Sequence, residues 1–162
     1  MLNDTIIVGM ADLNVTKDSG KLTTLGLGSC LGIVLYDNVT KVGGMAHVML
    51  PDSTQIRNNA NNAKFVDTGT ITLIEKMRAA GARTTNLKAK IAGGAQMFAV
   101  TGNNENMKIG DRNIEACLKL LGNLNIPIIG RDVGLNYGRT ITLHTDDGRL
   151  EIKTIGHGIK SI

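Results

Sequence analysis

Thr23-Thr24-Leu25-Gly26-Leu27-Gly28-Ser29-Cys30-Leu31-Gly32-Ile33-Val34-Leu35-Tyr36-Asp37 reads as a strand, a glycine-rich turn and a second, apolar strand. Asn38-Val39-Thr40-Lys41 follows with turn residues and a polar tip. Val42-Gly43-Gly44-Met45-Ala46-His47-Val48-Met49-Leu50 is then a third apolar run, which Pro51 ends. The second and third runs predict a β-hairpin. Its register decides which side chains meet. With a four-residue loop over 38–41, Asp37 faces Val42 and Gly32 faces His47. Cys30 and His47 are then diagonal neighbours on one face, roughly 7–8 Å apart at Cα. A two-residue loop sets them directly opposite, and an odd loop without a bulge puts them on opposite faces. The sequence leaves the loop length open.

Working outward, residues 5–9 form a β-branched run and 11–16 alternate, so both predict strands, with a turn at 17–20 before strand 22–27. Downstream, 52–62 is polar and without period, a surface loop placed to serve as a substrate-contacting flap. Residues 63–80 predict a helix with Phe65, Val66, Ile71, Leu73, Ile74 and Met77 on its apolar stripe and Gly81 after its end. A strand over 87–92 ends at Gly93-Gly94, and 103–106 reads as a loop tip. Asp111 offers an N-cap for a second helix, with Ile114, Cys117, Leu118 and Leu121 on one face and Gly122 near its end. Residues 127–130 predict a strand and 134–138 a turn. Residues 140–144 and 150–155 form a hairpin about Asp146-Asp147-Gly148, and 156–158 is a C-terminal loop. No internal repeat or linker is present. The pattern predicts an α+β fold, one domain over 1–162, mostly antiparallel with two main helices packed on the sheet.

The composition narrows the function. Aromatic residues are 2% with no Trp, so Ile, Leu, Val, Ala and Met must build the core. Twenty Gly against 2 Pro point to tight turns and close backbone packing rather than disorder. The 18 Lys+Arg against 14 Asp+Glu give a net charge of +4 without any basic run, and stacking aromatics are nearly absent, which argues against nucleic-acid binding. No Cys-x-x-Cys pair or His-x-x-x-His spacing occurs, so no metal is expected. The N-terminus lacks a leader pattern and no apolar run approaches the ~20 residues that span a bilayer. A cytoplasmic protein with reduced thiols and no membrane insertion is expected.

Cysteine is usually buried in a core, and Cys117 reads that way on its helical stripe. Cys30 differs because it sits where a glycine turn meets a strand, after Gly26-x-Gly28-Ser29, where backbone N–H groups stay open to a ligand. A thiolate nucleophile needs an imidazole to take its proton and return it to a leaving group, and N–H donors to hold a tetrahedral oxyanion. His47 can reach Cys30 across the hairpin, while His144 and His157 compete for the base with no local tie to it. Thr23 or Thr24 can orient the base, since alternation puts only one of them on the active face. Gly28 and Ser29 supply the oxyanion turn. Gly93 and Gly94 read either as a strand end packed on neighbouring backbone or as a wall of the substrate groove.

Four blocks carry a resemblance: 24–30, 44–51, Ala89-Lys90-Ile91-Ala92-Gly93-Gly94-Ala95-Gln96-Met97-Phe98, and Ile109-Gly110-Asp111-Arg112-Asn113. In this order and spacing the chain resembles the bacterial and archaeal CheD family of chemoreceptor glutamine deamidases. The resemblance implies a fold related to the catalytic domain of cytotoxic necrotizing factor toxins. It implies a Cys-His-Thr triad, which by position is Cys30, His47 and Thr24. It implies no cofactor, and it implies methyl-accepting chemotaxis receptors (through their cytoplasmic helices) and a CheC-type phosphatase as partners. Where the family often has Gly-Gly-Asn, this chain has Gly134-Leu135-Asn136. Two functions follow as alternatives: hydrolysis of protein glutamine to glutamate, or an adaptor that regulates by docking, with catalysis secondary. A generic thiol peptidase is a distant third.

Overall fold

The computed structural model describes residues 4–97 and 108–162. Loop tip 103–106 and Phe98 lie outside the described residues. Among the described residues, ten strands form two five-stranded sheets. The first has the order β1 (Thr5–Ile7), β3 (Lys21–Leu27), β8 (Arg139–His144), β9 (Leu150–Thr154), β10 (Gly158–Ser161). The second has β2 (Asp12–Thr16), β5 (Val42–Val48), β4 (Leu31–Asp37), β6 (Leu87–Gly93), β7 (Ile128–Val133). Pairing is antiparallel except at β1–β3 and β6–β7. The fold is α+β with, among the described residues, two α-helices, α1 (Val66–Ala79) and α2 (Ile109–Asn123).

The layering departs from one sheet under two helices. Every residue of β4 and β5 is buried. Leu31, Ile33 and Leu35 pack toward Leu73, Met77, Cys117 and Leu121 of the helices. Val34 and Met45 pack the other way, with Leu22, Leu27, Ile141, Leu143 and Ile152 of the first sheet. The second sheet is therefore the middle layer, covered on both faces, which is why its strands read as unbroken apolar runs. Gly32 permits the close approach, since a Cβ there would lie 2.7 Å from Ile141 Cδ1.

The hairpin takes the four-residue loop. Asp37 pairs with Val42 and Gly32 with His47. The buried Asp37 carboxylate accepts from the N–H groups of Val39, Thr40 and Arg83 and from Asn86 Nδ2. Burial alone would raise its pKa, but these hydrogen bonds together hold it below the ordinary value.

Several boundaries move. Helix α1 starts at Val66 rather than 63, because Phe65 keeps an extended backbone and bridges Leu50. Ile71 is exposed rather than on the stripe. Gly81 follows the helix at φ +113, as a C′ residue does. Asp111 lies in the first turn of α2, not at its cap, which is Lys108. The buried residues of α2 are Gly110, Asn113, Cys117 and Leu121, a stripe rotated from the expected one; Ile114 and Leu118 pack at its margin. The expected loop at 156–158 is a turn through His157, and the chain goes on from Gly158 into β10. Segment 52–62 carries two 3-10 turns, Ser53–Gln55 and Asn62–Lys64, tied down by Ser53 to Asp67 and by Asn61 to the Ala11 carbonyl. Leu135 adopts φ +61, a left-handed backbone that glycine takes at less cost. Among the described residues, no helix is long and apolar enough to cross a membrane.

Candidate active site

Thr24, Cys30 and His47 come from three consecutive strands or strand ends of the two facing sheets. Thr24 ends the regular pairing of β3 with β8. Beyond it a register shift and Gly26, at φ +65, carry the chain into the turn before β4. Strand alternation splits the two threonines. Thr23 turns its hydroxyl to the Ile141 carbonyl, 2.9 Å away, whereas Thr24 is fully buried and faces the second sheet.

The Thr24 hydroxyl donates to the Val8 carbonyl at 2.6 Å and lies 2.6 Å from His47 Nδ1. A hydroxyl has one hydrogen. With that hydrogen on Val8, Thr24 Oγ1 must accept from His47, so Nδ1 carries the imidazole proton. His47 Nε2 is then a bare lone pair, and it is buried with no partner among the described residues. Ala11 N–H holds the His47 carbonyl at 2.9 Å, which fixes the backbone below the ring. His47 is 1% exposed and Cys30 8%. Cys30 sits in the inter-sheet core with Val34 and Met45, the face of the second sheet on which His47 also lies.

Burial sets the charge state. It pushes the Cys30 thiol above its ordinary 9.0, opposed in part by the residue's own backbone N–H. It pushes the His47 imidazole below its ordinary 6.5. At neutral pH the resting pair is therefore thiol and neutral imidazole, not an ion pair.

The turn carrying Cys30 is clamped from behind. Ala95 N–H reaches the Gly28 carbonyl at 2.9 Å and Gly94 N–H the Cys30 carbonyl at 2.8 Å. The Ser29 carbonyl accepts from Asn113 Nδ2 at 3.0 Å. Trans peptides point the following N–H the opposite way. The Ser29 N–H thus faces away from the Ala95 strand end and the Cys30 N–H away from α2; neither has a backbone acceptor among the described residues, and the Cys30 N–H lies beside the residue's own thiol. Gly93 and Gly94 make the close approach possible. At Gly93, φ is +102 and a Cβ would fall 2.5 Å from the Cys30 oxygen; at Gly94 it would meet Ile114 at 2.6 Å. Both glycines therefore pack on the backbone and helix behind the nucleophile. Met97 covers Gly28, where a Cβ would lie 3.3 Å from its Cγ.

The rival residues lie elsewhere. His144 pairs with Lys21 and sits 3.2 Å from Arg149 Nη2. His157 stacks on Tyr137 at 4.1 Å. Cys117 is fully buried in the helical layer, and burial pushes its thiol to about 12. The groove of about 490 Å³ beside α2, lined by Pro51, Asp52, Val66, Arg112 and Glu115 among others, includes none of the three candidate residues. Among the described residues no group of three or more His, Cys, Asp or Glu is placed to hold a metal. The sequence reading missed two participants. The Val8 carbonyl left no signal, since any residue could supply it. Asn113 left one: a polar residue four before Cys117 and eight before Leu121, on an otherwise apolar helical stripe.

A family model described as CheD chemotactic sensory transduction matches residues 49–154. The chain is 54% identical to the "Probable chemoreceptor glutamine deamidase CheD" of Lachnoclostridium phytofermentans, over 99% of this chain and 100% of that one. It is 56% identical to the protein of the same name from Caldanaerobacter subterraneus, over 96% of each. It is 51% identical to the "Chemoreceptor glutamine deamidase CheD" of Halalkalibacterium halodurans, over 99% of this chain and 100% of that one. The crystal structure of the Bacillus licheniformis hypothetical protein YfiH aligns with a TM-score of 0.47 at 15% identity, over 77% of this chain and 50% of that one. The family model stops short of Thr24, Cys30 and His47, but the full-length relatives span them, and on both counts the chain belongs to the CheD family.

Proposed function

We propose that this protein hydrolyses glutamine side chains of methyl-accepting chemoreceptors to glutamate, with Cys30 as nucleophile, His47 as base and acid, and Thr24 as the group that orients His47. The observation that carries this reading is the imidazole fixed with Nδ1–H on Thr24 and Nε2 bare. The names of the full-length relatives support the substrate.

As Cys30 Sγ attacks the carboxamide carbon, its proton passes to His47 Nε2. The carbonyl oxygen becomes an oxyanion held by the N–H groups of Ser29 and Cys30. The imidazolium stays hydrogen-bonded to Thr24 through Nδ1. It then protonates the departing nitrogen, and the C–N bond breaks to release ammonia and leave a thioester. His47 next takes a proton from water, whose oxygen attacks the thioester carbon. The second oxyanion collapses, the C–S bond breaks and Nε2 returns its proton to Sγ. The balance is glutamine plus water to glutamate plus ammonia. Gly28 contributes by giving Met97 room to lie against the oxyanion turn, and Gly93 and Gly94 by letting the turn sit against the strand end. The substrate would be presented on a cytoplasmic receptor helix, where each turnover adds one negative charge. A CheC-type phosphatase is the expected regulatory partner, and the cytoplasm the expected compartment.

Two predictions test the proton path. Because His47 is held below 6.5 and Cys30 above 9.0, kcat/KM should form a broad plateau. Its acid limb lies below 6.5, where Nε2 is lost to a proton. Its alkaline limb lies above 9.0, where the thiol proton needed by the leaving nitrogen is gone. An ion pair would instead place the thiol limb well below neutrality, visible as pH-independent alkylation of Cys30 between pH 6 and 8. Second, Thr24→Val keeps the volume but removes the acceptor for Nδ1–H. Its kcat/KM should fall by roughly 10–100-fold, within the range of a general-base contribution, while Thr24→Ser keeps most of the activity. A Thr24→Val enzyme as fast as wild type would remove threonine from the relay.

A further inference from the structure

The three clamped carbonyls of the nucleophile turn do not have equivalent partners. Gly28 and Cys30 are held by main-chain N–H groups of the adjoining strand end. Ser29 is held by a side chain on α2, that of Asn113. The Ser29 carbonyl shares its peptide plane with the Cys30 N–H, so what holds one aims the other. The same Nδ2 reaches the Met49 carbonyl at 3.1 Å, two residues beyond His47. Both amide hydrogens thus go to the two chain segments that carry nucleophile and base.

The rest of Asn113 shows how specific this placement is. The residue is 0% exposed. Both of its acceptors are carbonyl oxygens, so the nitrogen must face them, and Oδ1 is left buried without a partner among the described residues. An unpaired buried amide oxygen is unfavourable. An apolar residue on this stripe would avoid that penalty but would leave both carbonyls unheld. α2 also seats Gly110 directly on the strand end, where a Cβ would fall 2.4 Å from the Gly94 oxygen, so Asn113 is carried close to the nucleophile turn.

We propose that Asn113 is a positioning residue for glutamine hydrolysis: by tying the Ser29 and Met49 carbonyls together it aims the Cys30 N–H at the oxyanion and fixes the spacing between the Cys30 and His47 segments. The proposal rests on the amidohydrolase reading above. Asn113 touches neither substrate nor reacting atoms. Its loss weakens a contact made in the transition state and leaves the thiol itself chemically reactive.

The test uses the full-length protein, wild type against Asn113→Ala and Asn113→Ser. Ammonia release from receptor cytoplasmic fragments gives kcat and KM, iodoacetamide labelling of Cys30 read by mass spectrometry gives thiol reactivity, and thermal melting gives the folded fraction. For Asn113→Ala, kcat should fall by about 10²-fold, the scale of one oxyanion donor, with KM within about threefold and labelling per folded molecule unchanged. Asn113→Ser keeps one donor in the buried site and carries the test should Asn113→Ala fail to fold; its kcat should fall by at least about 10-fold. A folded Asn113→Ser enzyme with wild-type kcat overturns the proposal while the amidohydrolase reading stands. So does a loss that falls equally on kcat and labelling, which is general loosening. A wild type that releases no ammonia overturns that reading, and the proposal with it.

Discussion

Cys30→Ala is expected to lose deamidation altogether, with kcat reduced by about 10⁵-fold or more, the scale seen when the nucleophile of a linked catalytic group is removed. The reason is the placement of the thiol. In the proposed relay the thiol is the proton source for His47 Nε2, which is buried without a partner among the described residues, and without the attack of sulfur no oxyanion forms for the N–H groups to hold. The fold should survive the change. Cys30 lies at the margin of the inter-sheet core, 8% exposed, and alanine removes one sulfur without unpairing the clamped carbonyls behind it. Melting temperatures of the two proteins should therefore agree within a few degrees while ammonia release vanishes. In a strain lacking the natural protein, Cys30→Ala should fail to restore chemotaxis. Full restoration would move the main function to docking, the alternative that the family resemblance leaves open.

The second large effect is structural in origin. Gly93→Ala should both destabilise the protein and disable the site. The backbone at Gly93 has φ +102, and a Cβ there would sit 2.5 Å from the Cys30 oxygen and 3.3 Å from Leu27 Cβ. Neither neighbour is the free end of a flexible side chain, so the strand end or the nucleophile turn must shift. Strain of this kind costs about 1–3 kcal/mol for the backbone alone. A displacement of the nucleophile near 1 Å costs about 10²-fold in rate. Urea denaturation should show a lower midpoint, and the folded enzyme should turn over at least about 10²-fold more slowly. Gly122→Ala, inside α2 where a Cβ meets nothing within 4 Å, is the control: alanine favours a helix, so the midpoint should not fall and turnover should be unchanged.

The hairpin was legible because its determinants are local. Two apolar runs and a polar tip mark it, but its register was not legible, because the sequence leaves the loop length open; the structure's four-residue loop places Gly32 opposite His47. Alternation alone gives one of Thr23 and Thr24 without saying which; the resemblance pointed to Thr24, and only the neighbouring strands show its hydroxyl beside His47. The second sheet face was hidden for a physical reason. A strand buried on both sides shows no alternation, so β4 and β5 revealed that they were buried but not that two layers covered them. β10 escaped because its residues are all exposed and it follows a glycine-flanked turn. Asn113 stands in the sequence only as the last residue of the fourth resemblance block, although its place on the stripe of Cys117 and Leu121 marks it as buried. The clamp on three successive carbonyls depends on contacts between segments more than 60 residues apart, which no local pattern records.

The most direct test of the account is the mass of the substrate. Incubating the purified wild-type protein with cytoplasmic fragments of cognate chemoreceptors should raise specific glutamine-containing peptides by about 1 Da each, as hydrolysis replaces a carboxamide with a carboxylate, and Cys30→Ala should leave the same peptides unchanged. Receptor peptides that keep their mass in the presence of wild-type protein, or that gain it equally with Cys30→Ala, would contradict the account.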